Sequence, residues 1–91
     1  VSEPDVVYIG EKPVSTYVLY ILERLKKGSR KILVKARGHN ISKAAHVTEA
    51  VHRMSGGKTK YGDIRLYSEE VGEESEEKSV PAIEIEVISL L

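Results

Sequence analysis

One stretch limits what this chain can fold into more than any other: an apolar run, a basic turn and a helix-periodic segment follow one another without a break. Ile32-Leu33-Val34 is short, apolar and partly β-branched, the pattern of a buried strand. Lys35-Ala36-Arg37-Gly38-His39-Asn40 follows, and then Ile41, Ala44, Ala45, Thr48 and Val51 recur at helical spacing. Gly38 suits a tight turn that a residue with a Cβ would resist. Asn40 is expected as the N-cap, its side-chain oxygen accepting from a free amide of the first turn. The result is a strand, a sharp turn and a helix start that carry Lys35, Arg37 and Lys43 and no acid. A helix N-terminus presents unpaired amides and the positive end of its dipole, so this stretch suits a phosphate. The same residues also fit a solvated basic turn, and the stretch alone does not choose between the two.

Ninety-one residues allow one small domain, with room for one two-layer core. A core of that size is marginal alone, so burial against a second subunit is expected. There is no cysteine, which excludes a disulfide framework and a thiolate metal site. No apolar run approaches the ~20 residues needed to span a bilayer. A soluble, cytoplasmic protein without membrane association is therefore expected.

The zero net charge hides a segregation. Residues 12–65 hold 13 of the 14 Lys and Arg against Glu23, Glu49 and Asp63, a balance of +10. Residues 66–91 hold Lys78 against eight Glu, a balance of −7. Electrostatic binding depends on the local patch, so the segregation predicts one basic face suited to nucleic acid.

Asp5-Val6-Val7-Tyr8-Ile9 reads as a strand stopped by Gly10. Pro13 suits a first helical position. Val14, Val18, Ile21, Leu22 and Leu25 then mark one face of an amphipathic helix that Gly28 stops. Tyr17 and Tyr20 lie off that stripe, to pack at its edges or to face outward and stack on a base. A second strand is expected at about Lys31–Lys35 and a second helix at about Ile41–Met54, the pattern of successive βαβ crossovers. Val47, Ala50 and Met54 form another stripe on that helix, which suggests burial against both its own sheet and a partner. Ile64-Arg65-Leu66-Tyr67 reads as a third strand, and Ala82 to Leu90, with Ile83, Ile85 and Val87 alternating against Glu84 and Glu86, as a fourth. Glu69 to Ser79 holds six Glu with Gly and Ser, and is expected as a long solvated hairpin tip.

Several motifs carry no chemistry. Gly56-Gly57-Lys58-Thr59 imitates the end of a P-loop, but His52 stands where that motif needs glycine, and the helix precedes instead of following. His46 and His52 are six apart and project in different directions around a helix, so they cannot chelate together. The glutamate run lacks the rigid placement that catalytic carboxylates need. Neither catalysis, a cofactor nor a metal is expected.

Ile9-Gly10-Glu11-Lys12-Pro13-Val14 with Tyr17-Val18, then Ile32 to Gly38, then Ile41-Ser42-Lys43-Ala44, resemble the Alba family of archaeal chromatin proteins over nearly the whole chain. The resemblance implies an α/β fold, a two-layer βαβαββ sandwich on a mixed four-stranded sheet, similar to the C-terminal domain of translation initiation factor three. It implies a single domain over residues 1–91 with a long hairpin arm at about 68–80. It also implies a dimer, associated with the chromosome, that binds double-stranded DNA, and RNA, with little sequence preference. In the family a Lys-Lys pair in the first loop is central, and here that pair is Glu11 and Lys12. Arg37 is retained in the central loop, His39 stands where a second basic residue is common, and Lys43 is kept; Ser55 takes the place of an aromatic that helps dimers pack side by side.

The expected nucleic-acid site is thus Lys12, Lys35, Arg37, Gly38, His39, Asn40 and Lys43, with the cations on phosphates and the amides opening the second helix as fixed donors. Glu11 and the acidic arm depart from the family, and fit a divergent second paralogue. Such a chain binds DNA as a homodimer, serves as a heterodimer partner that tunes a more basic relative, or forms an RNA-binding subunit of a ribonucleoprotein.

Overall fold

The computed structural model describes residues 4–71 and 78–91. The element order is β1 (Asp5–Tyr8), α1 (Val14–Lys26), β2 (Lys31–Arg37), α2 (Asn40–Met54), β3 (Thr59–Val71) and β4 (Lys78–Ser89). The strands form one sheet in the order β1-β2-β4-β3, with β1 parallel to β2 and β4 antiparallel to both neighbours. This is the βαβαββ architecture with a mixed sheet. Among the described residues no helix is long and apolar enough to cross a membrane.

Both helices pack on one face. Val18, Ile21 and Leu25 of α1 and Ala44, Val47 and Val51 of α2 meet Ile32 and Val34 of β2 and Ile85 and Val87 of β4 in one buried cluster. Each fully buried Val or Ile contributes roughly 1.5–3 kcal/mol, so this cluster fixes the register of the central strands. Among the described residues no element covers the opposite face of the sheet. That face presents Tyr8, Lys35 and Arg37, with Glu84 and Arg65 beside them, along the rows set by the pairing.

Several boundaries differ from the sequence reading. Pro13 stands one residue before α1, in extended conformation, and its carbonyl accepts the Thr16 amide at 3.0 Å. Asn40 is not the N-cap of α2. It is the first helical residue, the capping position falls to His39, and no side chain caps the helix. The turn is shorter than expected because β2 runs on to Arg37, with Ala36 buried beneath α2. Gly38 then reverses the chain at φ +60°, and its amide is held by the Pro81 carbonyl at 2.8 Å.

The acidic segment is also different. β3 begins at Thr59 and reaches Val71, and β4 begins at Lys78, so Glu69 and Glu70 are paired strand residues opposite Val80 and Ser79. Both strands thus run into the segment expected as a solvated hairpin tip, and residues 72–77 lie outside the described residues. Glu73, Glu74, Glu76 and Glu77 are among them.

Candidate nucleic-acid interface

β1 and β2 are parallel neighbours, so the loops that leave them emerge side by side at one end of the sheet. Parallel strands with a crossover helix place their C-terminal loops together, which is why such ends collect binding sites. The first loop, residues 9–13, is clamped from both helices. The Tyr17 hydroxyl, on α1, accepts the amides of Gly10 at 2.7 Å and Lys12 at 3.2 Å. From α2, the Lys43 ammonium donates to the carbonyls of Gly10 at 2.7 Å and Lys12 at 2.9 Å. Four hydrogen bonds thus fix the loop backbone, and the Lys12 side chain is left exposed at its outer edge.

The second loop lies against the first. His39 Nε2 is 3.6 Å from Glu11 Oε2, and both side chains are more than four-fifths exposed. Arg37 also projects from this end of the sheet. Its guanidinium donates to Glu69 of β3 across 3.4 Å, in a pair exposed on both sides. An exposed ion pair of this kind contributes at most ~1 kcal/mol and exchanges readily for a phosphate. Lys35, one row further down the uncovered face, sits 5.7 Å over the Tyr8 ring.

The expected site residues therefore separate by position. Lys12, Arg37, Gly38, His39 and Asn40 gather where the two loops meet; Lys43 is there too, but turned inward to hold backbone; Lys35 belongs to the open sheet face. Tyr17, which the sequence left between packing and stacking, packs and supplies the clamp. Its hydroxyl role carries no sequence signal beyond the seven-residue spacing from Gly10.

A single basic face is not what the cations form. Lys31 and Arg37 stand at opposite ends of β2, about 20 Å apart at strand rise. Arg24, Lys26, Lys27, Arg30 and Lys31 lie at the end away from the loops, because α1 and β2 run in opposite directions. Two of these are held by acids: Arg24 donates to Asp5, which also accepts from the Ser29 hydroxyl at 2.6 Å, and Lys31 approaches Glu86 at 3.8 Å. The hydrogen bond from Ser29, then that from Arg24, holds the Asp5 carboxyl below the usual aspartate range. Glu84, only about one-tenth exposed, is likewise held low by the Arg65 guanidinium at 2.7 Å, against the opposing effect of burial.

A two-layer βαβαββ domain whose adjacent parallel strands deliver two interlocked basic loops defines a narrow class of protein. The Alba family model matches residues 5–68, and the chain belongs to the Alba family. It is 38% identical over 85 residues to the DNA/RNA-binding protein Alba of Nanoarchaeum equitans, covering 90% of this chain and 94% of that one. It is 37% identical over 79 residues to the DNA/RNA-binding protein Alba 1 of Archaeoglobus fulgidus, covering 87% and 89%. The structure of Alba from Thermoplasma volcanium superimposes with a TM-score of 0.87 at 34% identity, over 92% of this chain and 99% of that one. ALBA1 from Trypanosoma brucei shares the fold, with a TM-score of 0.76 at 21% identity over 98% of this chain and 72% of its own.

Proposed function

We propose that this chain binds the backbone of double-stranded DNA without sequence preference and without catalysis, as a dimeric chromosome-associated protein of the cytoplasm. The observation that carries the reading is the clamped pair of loops. The Tyr17 hydroxyl, accepting two loop amides, and the Lys43 ammonium, donating to two loop carbonyls, hold the first loop in one shape, so the exposed Lys12 is offered at the loop end of the sheet at little ordering cost. The start of α2 opens onto the same place with no side-chain cap, leaving its dipole to an external anion. Among the described residues at the two loops the charged groups are Lys12, Arg37 and His39 with Glu11, which suits positioning contacts to phosphate. Relatives are named DNA/RNA-binding proteins, which supports the same ligand class.

Dimerisation is supported by an uncovered apolar edge. Ile64 and Leu66 of the edge strand β3 are 55% and 71% exposed on the helix side of the sheet. A second copy set against them would bury what one copy exposes.

Glu11 beside His39, and Glu69 on Arg37, lower the positive potential of the loops and favour a second reading, a heterodimer in which this chain weakens a more basic relative. A salt titration of binding to duplex DNA and duplex RNA, alone and mixed with a basic paralogue, tests both. Linear loss of log affinity with log salt on duplex DNA supports the main reading. Binding only in the mixture selects the second, and tighter binding to duplex RNA replaces DNA as the ligand.

A further inference from the structure

We propose that the uncovered face of the sheet holds a second subsite, which takes an unpaired nucleotide of single-stranded RNA in the groove between Tyr8 and Tyr67. The pairing sets the groove. Arg37, Ala82 and Tyr67 stand opposite one another across β2, β4 and β3, and Tyr8 stands beside Lys35 one row below. Ala82 is a buried floor of methyl size between larger neighbours, so the surface dips there, to a hollow of about 400 Å³. Three interstrand steps of about 4.8 Å separate the outer tyrosines, a width that suits one nucleotide lying on the sheet.

The chemistry of the walls selects the occupant. Tyr8 is 70% exposed and Tyr67 is 40% exposed. An exposed ring on a sheet attracts the face of a base, and a duplex hides its base faces by stacking; the occupant is therefore unpaired. Lys35 Nζ lies 5.7 Å over the Tyr8 ring; a base stacking on that face displaces the ammonium, which then stands beside the phosphate of the stacked nucleotide. Arg37 provides a second cation once it leaves Glu69, an exposed pair that a phosphate can displace. Looped and bulged bases are the usual targets of such surfaces in RNA, and the assignment is to RNA for that reason. The groove includes Gly10 and Asn40, so it opens directly onto the two loops. The proposal rests on the reading of those loops as a backbone site, because the strand leaving the groove would run onto Lys12.

The test compares the full chain with Tyr8→Leu, Tyr8→Phe and Tyr67→Leu. Each is titrated against a short single-stranded RNA carrying 2-aminopurine and against blunt duplex DNA, with thermal melting as the check on folding. Binding of the parent is expected to quench 2-aminopurine. Tyr8→Leu should lose the quench and bind the RNA strand roughly tenfold or more weakly, Tyr67→Leu should weaken it less, and Tyr8→Phe should behave as the parent. Duplex affinity of Tyr8→Leu should stay within about twofold of the parent, since the loops are untouched. Duplex binding by the parent with RNA affinity indifferent to Tyr8→Leu overturns this subsite alone, as does an equal loss on both ligands. Tighter binding of the same sequence as single-stranded DNA overturns the assignment to RNA. A parent that binds no duplex overturns the loop site and this one with it.

Discussion

Lys43 is the cation whose work differs most from its charge. Its ammonium is spent on the carbonyls of Gly10 and Lys12, whereas Lys12 and Arg37 end in exposed groups. Lys12→Ala and Arg37→Ala should each weaken duplex binding for all sequences alike and flatten the salt dependence by about one phosphate contact, read from affinity across a salt series. Lys43→Met should act differently. Two carbonyls lose a charge-assisted donor, worth about 1 kcal/mol at this partly exposed place, so the melting temperature should fall by about 4–8 °C. Duplex affinity should drop with it at nearly unchanged salt slope, which separates a loop brace from a phosphate contact. Glu69→Gln releases Arg37 and should strengthen duplex binding, most of all at low salt. Asp5 contributes to the acid sensitivity of the fold. Folding lowers its pKa, so the unfolded chain takes up the proton first; the stabilisation is complete above the usual aspartate range, about 4, and is lost as pH falls below it. Urea midpoints measured from pH 6 down to pH 2 should decline for the parent and decline less for Asp5→Asn. A single sequence shows that Lys12 and Arg37 are basic residues beside turns. That Lys43 faces inward was hidden, because its acceptors are backbone carbonyls more than thirty positions away and carry no side-chain signature.

At the level of elements, the helices were the legible part. Their apolar stripes and the glycine stops follow from period and φ alone, and Gly28 does end α1, at φ +102°. The strands were legible only where alternation is clean. β3 escaped over its first residues because a register shift between Tyr61 and Ile64 interrupts the period. Gly62 occupies that bulge, where a Cβ would overlap the Glu86 carboxylate and the Ile88 side chain, and the Asp63 amide donates to Glu86 Oε1. Gly62→Val should therefore destabilise the chain by about 1–3 kcal/mol in urea titrations, through overpacking and the displaced carboxylate. The acidic stretch misled for the opposite reason. Glutamates read as loop, yet Glu69 and Glu70 lie on the arm of a two-stranded ladder, where solvent on both sides removes the need for apolar residues.

For the whole molecule, the segregation of charge along the chain did not translate into one basic face, since the end of α1, the turn after it and the start of β2 together place five cations away from the loops. The proposed dimer would cover the exposed edge of β3. Placing a charge in the exposed edge, by Leu66→Asp or Ile64→Asp, should turn a dimer into a monomer in sedimentation equilibrium, and weaken duplex binding by losing the second set of loops.

The strand order also dictates when the chain can fold during its synthesis. β4 lies between β2 and β3, pairing Lys31 with Ile88 on one side and Thr59 with Ser89 on the other. Everything from β1 to α2 can leave the ribosome and form its local crossover, but β3 then has no neighbour. It waits, as an unpaired edge bearing Ile64 and Leu66, until the last strand emerges. A nascent chain stalled before β4 would thus expose both sides of the gap at the centre of its sheet, and would be captured by a chaperone or cleaved, where the released chain is not.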